Sequence, residues 1–184
     1  MKKFVTVLFM LIGLNTFGYS IDRINNDIHM LFDHYGLPRT QNITIDGKQY
    51  ELDWSRLLIL TAGVESNFGQ DNYSGRVAKT FMQIEEDSYK HYLKVLPATR
   101  DKVAEYTNIS QLKDSNAIAI AYVFYLSKMF HHSKWINLHK DIFYKSNKDV
   151  EYFVYKLYFN SIKGKSTYSK WIYRENWLLK NVGI

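Results

Sequence analysis

The sequence contains no cysteine. That absence excludes disulfides in an oxidising compartment, a lipid anchor on a cysteine behind an N-terminal apolar run, and thiolate metal sites. Two prolines are present, Pro38 and Pro97, and each stands where a helical pattern stops. No basic stripe occurs, so nucleic acid is not an expected partner. Internal repeats, low-complexity tracts and linkers are also lacking. Its 184 residues therefore read as one domain preceded by a targeting segment, 1–20 and then 21–184.

That segment opens with Met1-Lys2-Lys3, continues through the apolar run Phe4 to Leu14, and ends with Asn15 to Ser20. A basic start, an apolar stretch and small residues at Gly18 and Ser20 predict a secretory signal cleaved after Ser20. The expected destination is the periplasm. At about 11 residues the run is short for a membrane span, so membrane contact is expected only if this segment stays uncleaved as an anchor. About 164 residues remain, enough to bury a core without disulfides.

What is abundant is charge of one sign and aromatic rings. The formal charge is +6, and removing Lys2 and Lys3 leaves 22 basic against 18 acidic side chains, or +4. A mild basic excess suits a polyanionic partner such as cell-wall polymer and is equally ordinary for a soluble protein. The 15 tyrosines, 11 phenylalanines and 4 tryptophans exceed what a core alone requires, and suit a groove that stacks sugar rings.

Ile21, Ile24, Ile28, Leu31 and Tyr35 recur at helical spacing, and Gly36-Leu37-Pro38 ends that pattern. Ile43-Thr44-Ile45 and Gln49 to Leu52 flank Asp46-Gly47-Lys48, which predicts a β-hairpin. Asp53 is placed to cap the helix that follows. Further helices are expected over Asp87 to Leu96, Thr99 to Tyr106, Ala117 to Phe130, Lys134 to Ile142, Asp149 to Phe159 and Ser166 to Lys180. The uncharged interior AIAIAYVFYL marks the segment from Ala117 as a central buried helix. The fold class is mainly α with a small β-hairpin.

Chemistry concentrates between Leu57 and Ser88. Leu57, Leu60, Thr61 and Val64 build an apolar helix that delivers Glu65 at its end, beside Ser66. A carboxyl group there is disfavoured as an anion by low-dielectric surroundings and by the negative end of the helix dipole. Both effects act in the direction a general acid requires. Spacing alone also allows a solvated helix-end glutamate.

Glu65-Ser66, then Ser74-x-x-x-Ala78, then Phe81-Met82-Gln83-Ile84, then Ser88, resembles the lytic transglycosylase family. That family shares the goose-type-lysozyme fold. It carries glycines where this chain has Val77 and Thr80. A later family signature, Ala-Tyr-Asn-x-Gly-x-Gly, is similar to Tyr158-Phe159-Asn160-Ser161-Ile162-Lys163-Gly164, matching at Asn160 and Gly164. In register, Phe159 stands at the family tyrosine, which contacts the acid or the substrate, and Tyr158 is the nearest phenol. The resemblance implies a lysozyme-like helical domain with Glu65 as the catalytic acid. Ser66, Ser74, Met82, Gln83, Tyr158 and Asn160 would be its substrate-side residues.

It further implies peptidoglycan glycan strands as substrate, with no cofactor and no metal. Glu65 would protonate the bond between N-acetylmuramic acid and N-acetylglucosamine, then act as base on the muramoyl O6 hydroxyl, giving a 1,6-anhydromuramoyl end. Secretion or conjugation machinery are further candidate partners. A hydrolytic lysozyme of the same fold would need a second carboxylate to position water. Asp71, Glu85 and Glu86 are the acids near Glu65 in sequence. A wall-binding or secretion-apparatus scaffold with weak catalysis is the rival outside enzymes. His131, His132 and His139 invite a metal reading, but no carboxylate or cysteine completes a ligand spacing, and a solvated basic helix edge explains them as well.

Overall fold

The computed structural model describes residues 20–69, 78–93, 116–159 and 167–182. The targeting segment, the expected helix over Thr99 to Tyr106 and the stop at Pro97 lie outside them. The described chain is mainly helical, with two small antiparallel sheets.

Helix α1, Ile21–Tyr35, starts where the Ser20 hydroxyl accepts from the Arg23 N–H, and ends at Gly36 in the left-handed conformation, φ 58°. Ile24, Ile28, Leu31 and Phe32 form its buried stripe. Strands β1, Thr40–Ile45, and β2, Lys48–Asp53, pair with Ile45 opposite Lys48. Asp46 and Gly47 make the turn with φ 52° and 74°. Two consecutive positive φ values are what an Asp-Gly hairpin turn supplies, and they put Ile43, Ile45 and Leu52 on the buried face. The tip is latched from outside: the Lys140 ammonium lies 2.6 Å from Asp46, and the Tyr144 hydroxyl donates to the same carboxylate at 3.1 Å.

Asp53 closes the hairpin and caps α2, Trp54–Ser66, accepting from the N–H groups of Ser55 and Arg56. Nearly every α2 side chain from Leu57 to Val64 is buried, so the helix runs through the core. Strands β3, Ala78–Lys79, and β4, Ile84–Glu85, follow, then α3, Glu86–Leu93. Helix α4, Ala117–His131, is the second core helix, as its uncharged interior predicts. The Thr61 and Tyr125 hydroxyls, 2.7 Å apart, join it to α2.

The single helix expected over Lys134 to Ile142 is instead two short ones, α5, Trp135–Leu138, and α6, Lys140–Lys145. The break falls at His139, whose N–H still reaches the Trp135 carbonyl. The helix expected over Asp149 to Phe159 also divides. An α-helical part, α7, Val150–Val154, passes into a π-helical turn over Tyr155–Phe159. Helix α8, Tyr168–Asn181, packs on α2 and buries Leu178 and Trp171, the latter against the rings of Tyr152 and Tyr155.

Arg56 gathers three carboxylates around the start of α2. Its guanidinium is bidentate on Asp149 at 2.9 and 3.0 Å, reaches Glu175 at 2.8 Å and bonds Glu151. Burial works against that charge, but Asp149, Glu151 and Glu175 outweigh it and hold Arg56 above its ordinary range. Burial pushes the Glu151 carboxyl up, opposed by the Asp53 N–H and by Arg56.

Candidate active site

Glu65 sits half-buried in the last turn of α2. The helix stops there because Asn67 turns left-handed, φ 52°, and Phe68 follows at φ 57°. Their N–H groups return to the Gly63 and Ala62 carbonyls at 3.2 and 3.1 Å. Phe68 folds back under the helix and stacks on Trp177, centroids 5.5 Å apart. A Cβ on Gly63 would lie 2.6 Å from the tip of the Phe68 ring, so a residue without a side chain is needed there. Ser66 is buried as well. Its hydroxyl donates to the Ala62 carbonyl at 3.2 Å and accepts from the Gly69 N–H at 2.8 Å. Its observed bonds therefore staple the turn that presents Glu65.

A second element meets the acid from behind. The Tyr155 hydroxyl donates to Glu65 Oε1 at 2.6 Å. Tyr155 opens the π-helical turn, and its ring lies 5.2 Å from Trp171 and 6.1 Å from Phe159. Phe159 in turn lies 5.2 Å from Tyr125 and 5.6 Å from Phe124. The result is an aromatic wall beside Glu65. Burial pushes the Tyr125 phenol well up, with the Glu65 charge adding to it and the Thr61 bond opposing it, so Tyr125 stays neutral.

A third contact comes from α8. The Lys170 ammonium donates to the Val64 carbonyl at 2.5 Å, one residue before the acid. A cation on that carbonyl offsets the negative helix end. The setting of Glu65 is fixed by Tyr155 and Lys170 as much as by α2.

The β3–β4 loop places the remaining residues. Met82 and Phe81 are fully buried, so Met82 serves the core. Gln83 is half-buried, and its side-chain amide donates to the Thr80 carbonyl at 3.2 Å, within its own loop. Thr80 has φ 67°, a left-handed backbone that suits glycine, and its hydroxyl accepts from the Met82 N–H at 3.3 Å. The loop thus keeps a glycine-like backbone at a position that lacks glycine.

Tyr158 is placed away from the acid's phenol partner: its hydroxyl donates to the His132 carbonyl at 3.3 Å, and Tyr155 takes Glu65 instead. A π turn accommodates one more residue than an α turn, so side chains projected on an α-helical wheel are displaced around the axis. Ser74 and Asn160 lie outside the described residues, as does Asp71. Of the other nearby acids, Glu86 pairs with Lys90 at 2.5 Å, and exposed Glu85 acts electrostatically on Lys128. Among the described residues, no group of three or more His, Cys, Asp or Glu could hold a metal ion. None of the described helices is long and apolar enough to cross a membrane.

Comparison with family models, with curated proteins and with solved structures finds no match.

Proposed function

We propose that the protein is a peptidoglycan lytic transglycosylase with a lysozyme-like fold. It would cleave the β-1,4 bond between N-acetylmuramic acid and N-acetylglucosamine without consuming water. The observation that carries this reading is the Glu65–Tyr155 bond at the end of the buried helix α2. Resemblance supplies the reaction, and the geometry supplies a carboxyl group held by a phenol from a second element and backed by packed aromatic rings.

In the first step Glu65 gives its proton to the glycosidic oxygen, the N-acetylglucosamine alcohol leaves, and the muramoyl acetamido oxygen bonds to C1. In the second, the Glu65 carboxylate takes the proton of the muramoyl O6 hydroxyl as O6 displaces the acetamido oxygen. The acid is regenerated, and a 1,6-anhydro ring closes. Tyr155 serves both states of Glu65, because a phenol donates to the carboxylate and accepts from the protonated acid. The ion pair of Glu86 with Lys90 gives that carboxylate a structural role apart from activating water.

Mass spectrometry of purified peptidoglycan after incubation with the protein tests this. Anhydromuramoyl ends support it. Reducing ends assign a hydrolytic lysozyme, and no products from folded protein assign a wall-binding scaffold.

A further inference from the structure

Among the described residues strand β1 pairs on one side only, with β2. It also borders a groove of about 380 Å³, lined by Gln41, Asn42, Ile43 and Thr44. Successive strand residues point to opposite faces, so four in a row share one groove only where it follows the strand's edge. Leu126, Met129 and Phe130 of α4, at i, i+3 and i+4, line it as well, with Ile136 of α5. Met129 is buried, Leu126 and Ile136 are half-buried, and Phe130 is 64% exposed. An apolar helix stripe and a strand edge therefore meet in one groove.

The turn fixes which backbone groups face it. With a two-residue turn at Asp46 and Gly47, Ile45 and Lys48 are a hydrogen-bonded pair. Such pairs alternate along an antiparallel ladder, so Ile43 and Gln41 also bond β2, whereas Thr44 and Asn42 turn their N–H and C=O outward. Asp53 shows the same phase from β2: it stands opposite Thr40, and its outward N–H donates to Glu151 at 2.7 Å. Beyond the end of β1, the Asp46 N–H donates to the Asn137 side chain at 3.1 Å. Among the described residues no group takes the outward N–H or C=O of Asn42 or Thr44.

We propose that the β1 edge docks an extended peptide segment of a partner protein, added as a third strand with apolar side chains against Leu126, Met129, Phe130 and Ile136. Donor and acceptor offered together at every second residue are the pattern that another polypeptide backbone matches, and a sugar chain or a lipid does not. Strand β1 has no charged residue and no proline, the devices that ordinarily block strand addition. Charge narrows the partner. The stretch from Leu126 to Leu138 contains Lys128 and Lys134 and no carboxylate. Lys134 is exposed and has no ion-pair partner among the described residues. The acids near the two ends of β1 are already matched, Asp33 by Arg39 and Asp46 by Lys140. The segment that fits is uncharged and alternately apolar where it pairs, with an acidic residue beside that stretch. Glu65 does not line the groove, so the inference does not rest on the cleavage reaction.

The test titrates the full chain with a fluorescein-labelled peptide, Val-Thr-Val-Thr-Val-Glu, read by anisotropy and by amide hydrogen exchange of the protein. Expected is saturable binding, with exchange slowed at Asn42 and Thr44. Methylating every second peptide nitrogen, in at least one of the two possible phases, should abolish it. Asn42→Pro removes one outward N–H and leaves the bonds to β2 in place, so the variant should fold and bind about fivefold or more weakly. Phe130→Ser, at an exposed position, should cost about tenfold in affinity. Absence of saturable binding, unchanged affinity with both methylation patterns, or folded variants that both bind like wild type would overturn the proposal. So would protection of Asn42 and Thr44 that rises with protein concentration without peptide, which assigns the edge to a second copy.

Discussion

At the scale of single residues, Glu65 and Tyr155 are joined by one hydrogen bond, and substitution can separate the roles proposed for them. Glu65→Gln keeps the shape of the side chain and can still accept from Tyr155, but it has no proton to give. Peptidoglycan-cleaving activity should fall by about 100-fold or more, with circular dichroism unchanged, since general acid catalysis is typically worth 10²–10⁴-fold. Retention of more than about a tenth of the activity would move the acid elsewhere. Tyr155→Phe keeps the ring between Trp171 and Phe159 and removes only the hydroxyl. We expect kcat to drop by about tenfold while KM changes little, because the lost bond holds the acid and not the substrate. Glu85→Gln and Glu86→Gln should each leave the rate within about threefold of wild type, since neither is needed to activate water. A large loss in either, together with reducing ends, would identify the second carboxylate of a hydrolase.

Single elements show which parts of the site were readable in advance. Helix α2 was legible because its apolar spacing, the Asp53 cap and the terminal Glu65-Ser66 agree with one another. The hairpin was legible because Asp46-Gly47 has one inexpensive conformation. Tyr155 was not, since its approach to Glu65 depends on the π turn, and helical spacing gives no sign of where one extra residue enters. Nor was Lys170, whose bond to the Val64 carbonyl spans 106 residues. Gly63 tests the end of α2 as a packed element. Alanine would gain about 1 kcal/mol in helix propensity. Its methyl group would meet the Phe68 ring at 2.6 Å, where the ring is pinned on Trp177. Overpacking of this kind typically costs 1–3 kcal/mol, so Gly63→Ala should destabilise by about 1 kcal/mol net, with altered Trp fluorescence. Denaturant unfolding checks it, and a stabilised variant would show that Phe68 is free to move.

Across the whole molecule, Arg56 holds the start of α2 to α7 and α8. Arg56→Met leaves Asp149 and Glu151, whose side chains are 6% and 9% exposed, without their shared cation. Removing one partner of a buried ion pair typically costs 3–5 kcal/mol, and partial exposure of Arg56 reduces this to about 3 kcal/mol near neutral pH. The sign with pH follows from the carboxylates. Burial already holds the Glu151 carboxyl above its ordinary range, so it sheds its uncompensated charge as pH falls, and the gap between variant and wild type should narrow in acid. Thermal melts at several pH values measure it, and a gap that widens in acid would contradict the account.

The residues holding α2 also set a timetable. Tyr155 is synthesised 90 residues after Glu65, and the Lys170 and Glu175 contacts span 106 and 119 residues. At about 5–20 residues per second, roughly 5–20 seconds separate synthesis of the acid from synthesis of its phenol. During that interval the nascent chain carries Glu65 without its phenol. On the proposed reading, the Tyr155 and Lys170 contacts reach Glu65 and its helix end late, so a chain stopped before them would lack the hold on its acid.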